Sequence, residues 1–339
     1  MILVTGGTGL VGSHLLFHLV NNSDLPVRAI YRRAHKLDTV KHVFSYFSDT
    51  PNTLFNNIDW VEANLNDIPK LQKAFIGITH VYHCAAFVSF EPDKYHQLRK
   101  INIEGTANIV NLCISNSVKK LCYMSSIAAI GHHNDPEKLI TETTPWNAEF
   151  DNSVYAITKF GAELEVWRGT QEGLDAVIVN PGIILGGGHW RSGSSGSLFK
   201  QIYKGLKYYT HGTTGYVDVW DVVSIMYQLM DSPLKNENYI VISECLSFKD
   251  FQSKVANALG VSPATKEAKP WLLQLAWRLD WLNFKLMRKR RRLSKQMAKS
   301  ATSITKYDNS KIKNALNFDF KTIDQSVEAI ARLFKKDFS

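Results

Sequence analysis

The sequence has few cysteines and no long apolar run. None of its apolar stretches approaches the roughly 18–20 residues that a membrane-spanning helix needs. The four cysteines are scattered, with no CxxC pair and no histidines at zinc-finger spacing; they are Cys84, Cys113, Cys122 and Cys245. We therefore expect no metal site, and we interpret the thiols as small apolar side chains in a reducing compartment.

No signal peptide is recognised, because the first apolar residues, MILV, run directly into a glycine-rich turn. Hydrophobic residues make up 45% and charged residues 21% of the 339 positions, which is ordinary for a soluble globular protein. We therefore expect a cytoplasmic protein with one large domain or two small ones.

Short apolar segments alternate with helical patterns along the first half of the chain. Strands that are apolar throughout and alternate with helices predict a parallel sheet that is covered on both faces. The fold class is therefore α/β, with a doubly wound parallel sheet. This regular alternation stops after Pro181, and residues 186–197 are so rich in Gly and Ser that they predict a mobile loop.

The change of pattern suggests a division of the chain. We expect residues 1–181 to form a nucleotide-binding domain that carries the catalytic side chains. Residues 182–339 then form a smaller, mainly helical substrate-binding region. Segments near 216–245 still resemble strand and helix, so we expect them to return to the sheet.

A glycine triplet lies between the first strand and the first helix, at Gly6, Gly9 and Gly12. Small residues at these positions allow a tight turn, a close approach of the backbone to a pyrophosphate, and close packing of the helix on the strand. The phosphates then lie at the helix N-terminus, where free N–H groups favour anions. This context predicts a dinucleotide site.

The end of the second strand indicates which dinucleotide binds. NAD sites usually carry an acidic residue there, whereas this chain has Arg32 and Arg33. Guanidinium groups match a ribose phosphate, so NADP(H) is favoured and NAD(H) is the alternative.

Several motifs, in order over residues 1–245, resemble those of the extended short-chain dehydrogenase/reductase family. The resemblance includes the NAD-dependent epimerase/dehydratase proteins and a branch similar to dihydroflavonol reductase and 3β-hydroxysteroid dehydrogenase. The motifs are TGGTGLVG, NLND, HCAA, INIEGTANIV, YMSSIAAIG, YAITK and NPGIILG. The resemblance implies a Rossmann fold and an NAD(P)-dependent oxidoreductase acting on a small molecule.

The resemblance also implies which residues contact the cofactor. Besides the glycines and arginines above, they are Thr8, Leu10, Val11, Asn64, Leu65, Cys84, Ala85, Ala86, Ser125, Tyr155, Lys159, Pro181, Gly182 and Ile183. Asn64 departs from the family's usual Asp, and Asn180 occupies a position where many members have Arg.

Tyr155 and Lys159 are spaced to share one helix face. A nearby ammonium group favours the phenolate, so we expect it to lower the pKa of Tyr155 and make the residue a general acid/base. The resemblance implies that Ser126 hydrogen-bonds the reacting oxygen. It also matches Asn102 to the family's helix asparagine, whose role is catalytic or a structural hydrogen bond.

The reaction class depends on the substrate. Nucleotide-sugar enzymes of the family usually carry Arg-Asp where this chain has Thr214 and Gly215, so a carbonyl reductase resembling dihydroflavonol 4-reductase is favoured. A nucleotide-sugar epimerase or dehydratase, and a sterol or lipid 3β-hydroxy dehydrogenase at a membrane, stay as alternatives. The candidate substrate contacts are Val88, Ser126, Trp190 and Arg191. The resemblance suggests a monomer or a homodimer.

Positive charge is concentrated in one segment. Of the 40 Lys and Arg residues, seven lie in the eleven positions Lys285–Lys295, and the net charge is +9. The segment ends a Trp-rich helical pattern that begins at Trp271. We favour a helix that packs over the cleft with its basic end in water. Peripheral contact of residues 271–295 with the inner face of a membrane is the alternative, and nucleic-acid binding is not expected.

Overall fold

The computed structural model describes residues 1–133, 135, 137–190, 195–287 and 293–338. Its strands are β1 (Ile2–Thr5), β2 (Val27–Tyr31), β3 (Ile58–Glu62), β4 (His80–His83), β5 (Lys120–Met124), β6 (Ala176–Pro181), β7 (Ile183–Leu185), β8 (Tyr208–Tyr209), β9 (Thr213–Asp218), β10 (Glu237–Val241), β11 (Glu244–Ser247) and β12 (Lys266–Glu267).

Its α-helices are α1 (Leu10–Asn22), α2 (Leu37–Phe44), α3 (Pro51–Asn56), α4 (Ile68–Ala74), α5 (Tyr95–Leu98), α6 (Gly105–Ser115), α7 (Val154–Gln171), α8 (Gly196–Tyr203), α9 (Val219–Asp231), α10 (Phe248–Leu259), α11 (Pro270–Met287), α12 (Lys295–Ser300), α13 (Ser310–Leu316) and α14 (Ile323–Phe338). A π-helical segment, Arg99–Glu104, joins α5 to α6. Short 3-10 turns lie at Ala34–Lys36, Pro92–Lys94 and Ile127–Ala129.

The central sheet has seven parallel strands in the order β10-β6-β5-β4-β1-β2-β3. Every residue of β1, β5 and β6 is buried, because helices cover both faces of the sheet. The strand order reverses between β1 and β4, and ligands of such sheets bind in the crevice at that point. The prediction of a doubly wound α/β fold is therefore confirmed.

Two apolar clusters hold the sheet between its helix layers. One cluster joins β1, β2 and β6 to α1 and α9, with Leu15, Leu16, Val222 and Met226 at its centre. The other lies on the opposite face and includes side chains of α4, α6 and α7. Strand β10 pairs with β6, so the chain beyond residue 216 contributes both a strand and a helix to this core. A domain boundary at residue 181 stays a prediction.

The later part of the chain forms a second core beside the sheet. Aromatic and aliphatic side chains of α8, α10 and α14 pack together there with β9 and with Trp190. Residues 186–188 and Trp190 are buried as well, so the prediction that residues 186–197 form a mobile loop is wrong for that part of the segment. The glycines are needed for close packing: a Cβ on Gly187 would lie 2.7 Å from a methyl carbon of Leu333.

Helix α11 has no fully buried residue, although one of its faces is half-buried. That it packs over the cleft with its basic end in water stays a prediction. No helix within the described ranges is both long and apolar enough to span a bilayer.

Candidate active site

The glycine turn between β1 and α1 accepts no larger side chains at two positions. Gly6 has φ +69°, and a Cβ there would lie 2.6 Å from the Ala85 backbone nitrogen. A Cβ on Gly12 would lie 2.2 Å from the Gly6 carbonyl oxygen. The tight turn therefore brings the start of α1 against the end of β4, at the reversal point of the sheet.

The N-terminus of α1 has the properties of an anion site. Its capping residue, Gly9, is exposed and provides no side-chain cap, and the first turn contains no acidic residue. The first-turn N–H groups have no partner within the helix, so they and the helix dipole can hold a pyrophosphate. Thr8, Leu10 and Val11, which the sequence predicts as cofactor contacts, flank this N-terminus. The turn thus fits a dinucleotide.

The predicted adenosine contacts lie together at the ends of β2 and β3. These strands are neighbours, with Tyr31 opposite Glu62. Arg32 and Arg33 follow β2 directly and are exposed, and Asn64 is exposed just after β3. Leu65 is buried, and its carbonyl oxygen accepts a hydrogen bond of 2.8 Å from Asn108 Nδ2.

The segment that follows β4 is fixed against the glycine turn. Ala85 donates its backbone N–H to Thr5 Oγ1 over 3.2 Å, and Ala85 also lies closest to Gly6. Cys84 and Ala86, on either side of it, lie at the same edge of the sheet. On the other side of the site, Pro181 ends β6, and Gly182 and Ile183 lead into β7. These are positions that the sequence predicts as cofactor contacts.

Helix α7 brings Tyr155 and Lys159 to this edge. Ser153 begins the helix by accepting a 3.1 Å hydrogen bond from the Ala156 N–H, which fixes Tyr155 in the first turn. Lys159 is buried, and its Nζ donates to the Tyr123 hydroxyl over 2.7 Å and to the Met124 carbonyl over 2.9 Å. Its ammonium therefore lies at the carboxyl end of β5.

Tyr155 is less acidic than the sequence suggests. Burial raises the pKa of its hydroxyl to about 12, and a hydrogen bond with Ser126 acts in the opposite direction. The expectation that Lys159 lowers the pKa of Tyr155 is therefore wrong for this structure, since the ammonium is directed to Tyr123 and Met124 instead. The effect of Ser126 on this pKa indicates that the two predicted hydroxyls lie near each other.

Ser126 starts the 3-10 turn after β5, and its Oγ accepts a 3.2 Å hydrogen bond from the Ala128 N–H. This turn keeps the hydroxyl at the strand end, where it meets Tyr155. Ser125 is buried, and its backbone N–H donates to the Val179 carbonyl over 2.8 Å, which holds the end of β5 against β6.

A buried carboxylate behind Lys159 has no counterpart among the predicted site residues. Burial lowers the pKa of Lys159 to about 7, whereas the charge of Glu163 raises it. Glu163 is itself buried and accepts a short hydrogen bond from the side-chain amide of Asn180, which also donates to the Ser126 carbonyl over 3.1 Å. Burial raises the pKa of Glu163, while the nearby Ser125 hydroxyl, the hydrogen bond from Asn180 and the charge of Lys159 lower it. The sequence could have indicated Glu163 as a site residue, because Glu163 lies four residues after Lys159 on the same helix face.

Asn102 uses its side chain to fix the site's walls. Its Oδ1 accepts from the Phe87 N–H over 2.8 Å, and its Nδ2 donates to the Phe87 carbonyl over 3.0 Å and to Thr158 Oγ1 over 3.2 Å. These bonds tie the segment after β4 to α7. The Asn102 amide is therefore bonded to Phe87 and Thr158 and not to Ser126, Tyr155 or Lys159. This is the geometry of a positioning residue.

The predicted substrate contacts differ in their placement. Val88 is 51% exposed in the segment after β4. Trp190 is buried: its ring lies 5.1 Å from that of Phe334, and its Nε1 donates to Asp337 over 2.5 Å. The prediction that Trp190 contacts substrate is therefore contradicted by its packing in the second core. Arg191 lies outside the described residues. Phe90, which the sequence did not single out, is partly exposed with its ring 5.5 Å from that of Tyr155.

The fold and the site together define an NAD(P)-dependent enzyme of the oxidoreductase type. The sequence model of the NAD dependent epimerase/dehydratase family matches residues 2–242. The chain belongs to this family, which confirms the resemblance seen in its motifs.

Individual proteins show how the chain relates to that family. It is 29% identical to a putative dihydroflavonol 4-reductase of Synechocystis sp. over 81% of this chain and 77% of that protein. It is 26% identical to sterol demethylase protein B of Methylococcus capsulatus over 71% and 69% of the two chains. UDP-glucose 4-epimerase of Thermotoga maritima has a similar fold, with a TM-score of 0.77 at 19% identity over 100% and 99% of the chains.

Proposed function

We propose that the protein is an NADPH-dependent reductase of aldehyde or ketone carbonyl groups. The observation that carries this proposal is the grouping of Ser126, Tyr155 and the buried Lys159 at the sheet edge that the glycine turn also reaches. A hydride donor and a proton donor on one carbon–oxygen bond are what carbonyl reduction requires.

The proposed cofactor preference depends on the charge at the end of β2. When bound, NADPH supplies the hydride. Its pyrophosphate needs a close approach to the backbone, which the small residues Gly6, Gly9 and Gly12 allow. A ribose phosphate would bind at the exposed guanidinium groups of Arg32 and Arg33. NAD(H) is the alternative, since it lacks only that phosphate.

Tyr155 acts as the proton donor in this proposal. Burial raises its pKa to about 12, so the hydroxyl carries its proton at neutral pH and can deliver it to the substrate oxygen. Ser126 contacts the same hydroxyl and would donate to the same oxygen as negative charge develops there. Lys159 keeps its ammonium at the same strand end, where its Nζ donates to the Tyr123 hydroxyl and the Met124 carbonyl, and it would hold the nicotinamide ribose of the cofactor there.

Two observations favour an apolar carbonyl compound over a nucleotide sugar. Phe90 presents exposed apolar surface beside Tyr155, and Val88 is exposed two residues earlier in the same segment, which suits an apolar or aromatic substrate. Thr214 and Gly215 stand where nucleotide-sugar enzymes of the family usually carry Arg-Asp. Ile242 fills the space beside Gly215, since a Cβ on Gly215 would lie 2.2 Å from Ile242 Cδ1. The name of the Synechocystis relative supports the same choice.

Two further activities are supported by single observations. A nucleotide-sugar epimerase or dehydratase would agree with the fold of the Thermotoga maritima enzyme. A sterol or lipid hydroxy dehydrogenase would act on the class of substrate that appears in the name of the Methylococcus capsulatus relative, sterol demethylase protein B. The apolar surface beside Tyr155 is compatible with the second of these and does not favour the first.

The test mixes the purified protein with NADPH and a panel of aldehydes, ketones, sterols and sugar nucleotides, and follows cofactor and substrate together. We expect stoichiometric loss of NADPH with one class of apolar carbonyl compound. Conversion of a sugar nucleotide without net change of the cofactor would overturn the proposal in favour of an epimerase or dehydratase.

A further inference from the structure

Helix α11 presents an apolar stripe to solvent. Its 18 residues include no buried side chain, and every residue from Trp281 to Met287 is exposed. Large apolar side chains exposed by 44–71% recur at spacings of four, four, three and four residues; they are Trp271, Leu275, Leu279, Leu282 and Leu286. At about 100° per residue, this spacing places all five within about 80° of the helix circumference. A contiguous apolar surface of this kind marks an interaction site.

The charges around the stripe have one sign. Arg278 and Lys285 lie along one of its edges, and both are exposed. The only acidic residue of α11 is Asp280, which is partly buried on the far side, where its carboxylate accepts from the Leu293 N–H over 3.2 Å. The sequence that follows α11, residues 288–292, consists entirely of Arg and Lys. A surface that combines an apolar stripe with positive charge complements an anionic, apolar partner.

From this stripe and its flanking charges, we propose that α11 anchors the protein in the plane of an anionic lipid bilayer. Helices of this type lie in the headgroup region with Trp and Leu in the acyl boundary and Lys and Arg toward the lipid phosphates. At 1.5 Å per residue, α11 is about 27 Å long, enough to place five side chains along the surface.

A second copy of the chain fits this surface less well. In a symmetric pair, Arg278 and Lys285 of each copy would lie along the edge of the buried stripe, and the stripe of the other copy contains no acidic residue to pair with them. Like charges at an interface oppose association, and no exposed acidic residue of α11 offsets them. Anionic lipid supplies that missing negative charge. The inference does not depend on the proposed reductase activity, because membrane binding needs no turnover.

The test measures flotation of the full chain with extruded vesicles of phosphatidylcholine alone, or of phosphatidylcholine mixed with phosphatidylglycerol. We expect binding to the mixed vesicles, at least tenfold weaker binding to the neutral ones, and loss of binding near 1 M salt, where the screening length is only about 3 Å. The double variant Leu275→Asp/Leu279→Asp should bind the mixed vesicles at least tenfold more weakly. Each Leu side chain that enters the bilayer contributes at least the free energy of a tenfold change in affinity.

Ile76→Asp serves as the matched control. Ile76 is 68% exposed in the turn before β4, so the same type of substitution is made away from α11 and should leave vesicle binding unchanged. Circular dichroism of each variant checks that the fold is retained. No flotation of the native chain with anionic vesicles, or equal flotation of the double variant, would overturn the proposal. A native dimer that the double variant converts to a monomer, without vesicle binding by either, would assign the stripe to a second copy.

Discussion

Glu163 provides a sharp test of how the buried site controls Lys159. Glu163→Gln keeps the size of the side chain and an oxygen that can accept from Asn180, but it removes the negative charge that raises the pKa of Lys159. Burial already lowers that pKa to about 7. Without the carboxylate, the pKa falls further, and more of the Lys159 population is neutral at pH 7.

The size of the effect follows from the proximity of the two groups. An opposite charge within roughly 4–6 Å moves a pKa by about 1–3 pH units. We take the lower end, about one pH unit, because the same burial that strengthens the interaction also raises the pKa of Glu163 and favours its neutral form. One unit corresponds to about 1.4 kcal/mol and to a tenfold change in the ratio of protonated to neutral Lys159.

The sign of the pH dependence can be stated directly. If the protonated form of Lys159 is the active one, reduction is fastest below its pKa and falls as the pH rises through it. The variant should therefore lose activity at lower pH than the native enzyme. We expect kcat to approach the native value near pH 5 and to fall about tenfold below it at alkaline pH.

The assay is the pH profile of kcat for NADPH oxidation with whichever carbonyl substrate the panel identifies. Glu165→Gln is the matched control on the same helix, because the Glu165 carboxylate accepts from Arg168 Nε over 2.9 Å. The control should keep the native profile. A Glu163→Gln profile that matches the native one, or a loss that is the same at every pH, would refute the electrostatic role of Glu163.

Two further predictions concern the cofactor. The double variant Arg32→Ala/Arg33→Ala should raise the dissociation constant of NADPH about 10- to 100-fold, because charge-assisted hydrogen bonds contribute about 1.5–3 kcal/mol. Fluorescence titration should show that the dissociation constant of NADH is nearly unchanged. Equal weakening of NADPH and NADH binding would contradict a ribose-phosphate contact. Gly12→Ala should lower the melting temperature and abolish cofactor binding, since its Cβ would lie 2.2 Å from the Gly6 oxygen. Gly9→Ala, whose Cβ would lie 3.3 Å from the same atom, should have a much smaller effect.

Those parts of the site that depend on local sequence could be predicted. The strand–turn–helix context of the glycine triplet led to the anion site at α1, because tight turns and helix N-termini are set by neighbouring residues. The spacing of Tyr155 and Lys159 placed both on α7 for the same reason. Alternation of apolar strands with helices likewise led to the parallel sheet.

The errors arise where distant parts of the chain meet. Glycine and serine around Trp190 predicted a mobile loop, but α14, more than 130 residues later, buries that ring against Phe334. The expected lowering of the Tyr155 pKa assumed that Lys159 is directed toward it. Tyr123 and Met124, from strand β5, determine that direction instead. Helix periodicity around Trp271 indicated a helix correctly but could not show whether another element covers it.

The central claim is that Tyr155 provides the proton in a reaction that the bound cofactor drives. The most direct measurement compares native protein and Tyr155→Phe for NADPH affinity by fluorescence and for single-turnover reduction of a carbonyl substrate. We predict a loss of at least about 100-fold in the reduction rate, in the range of general acid catalysis, with an NADPH dissociation constant within about twofold of the native value. Reduction by the variant at the native rate would contradict the claim.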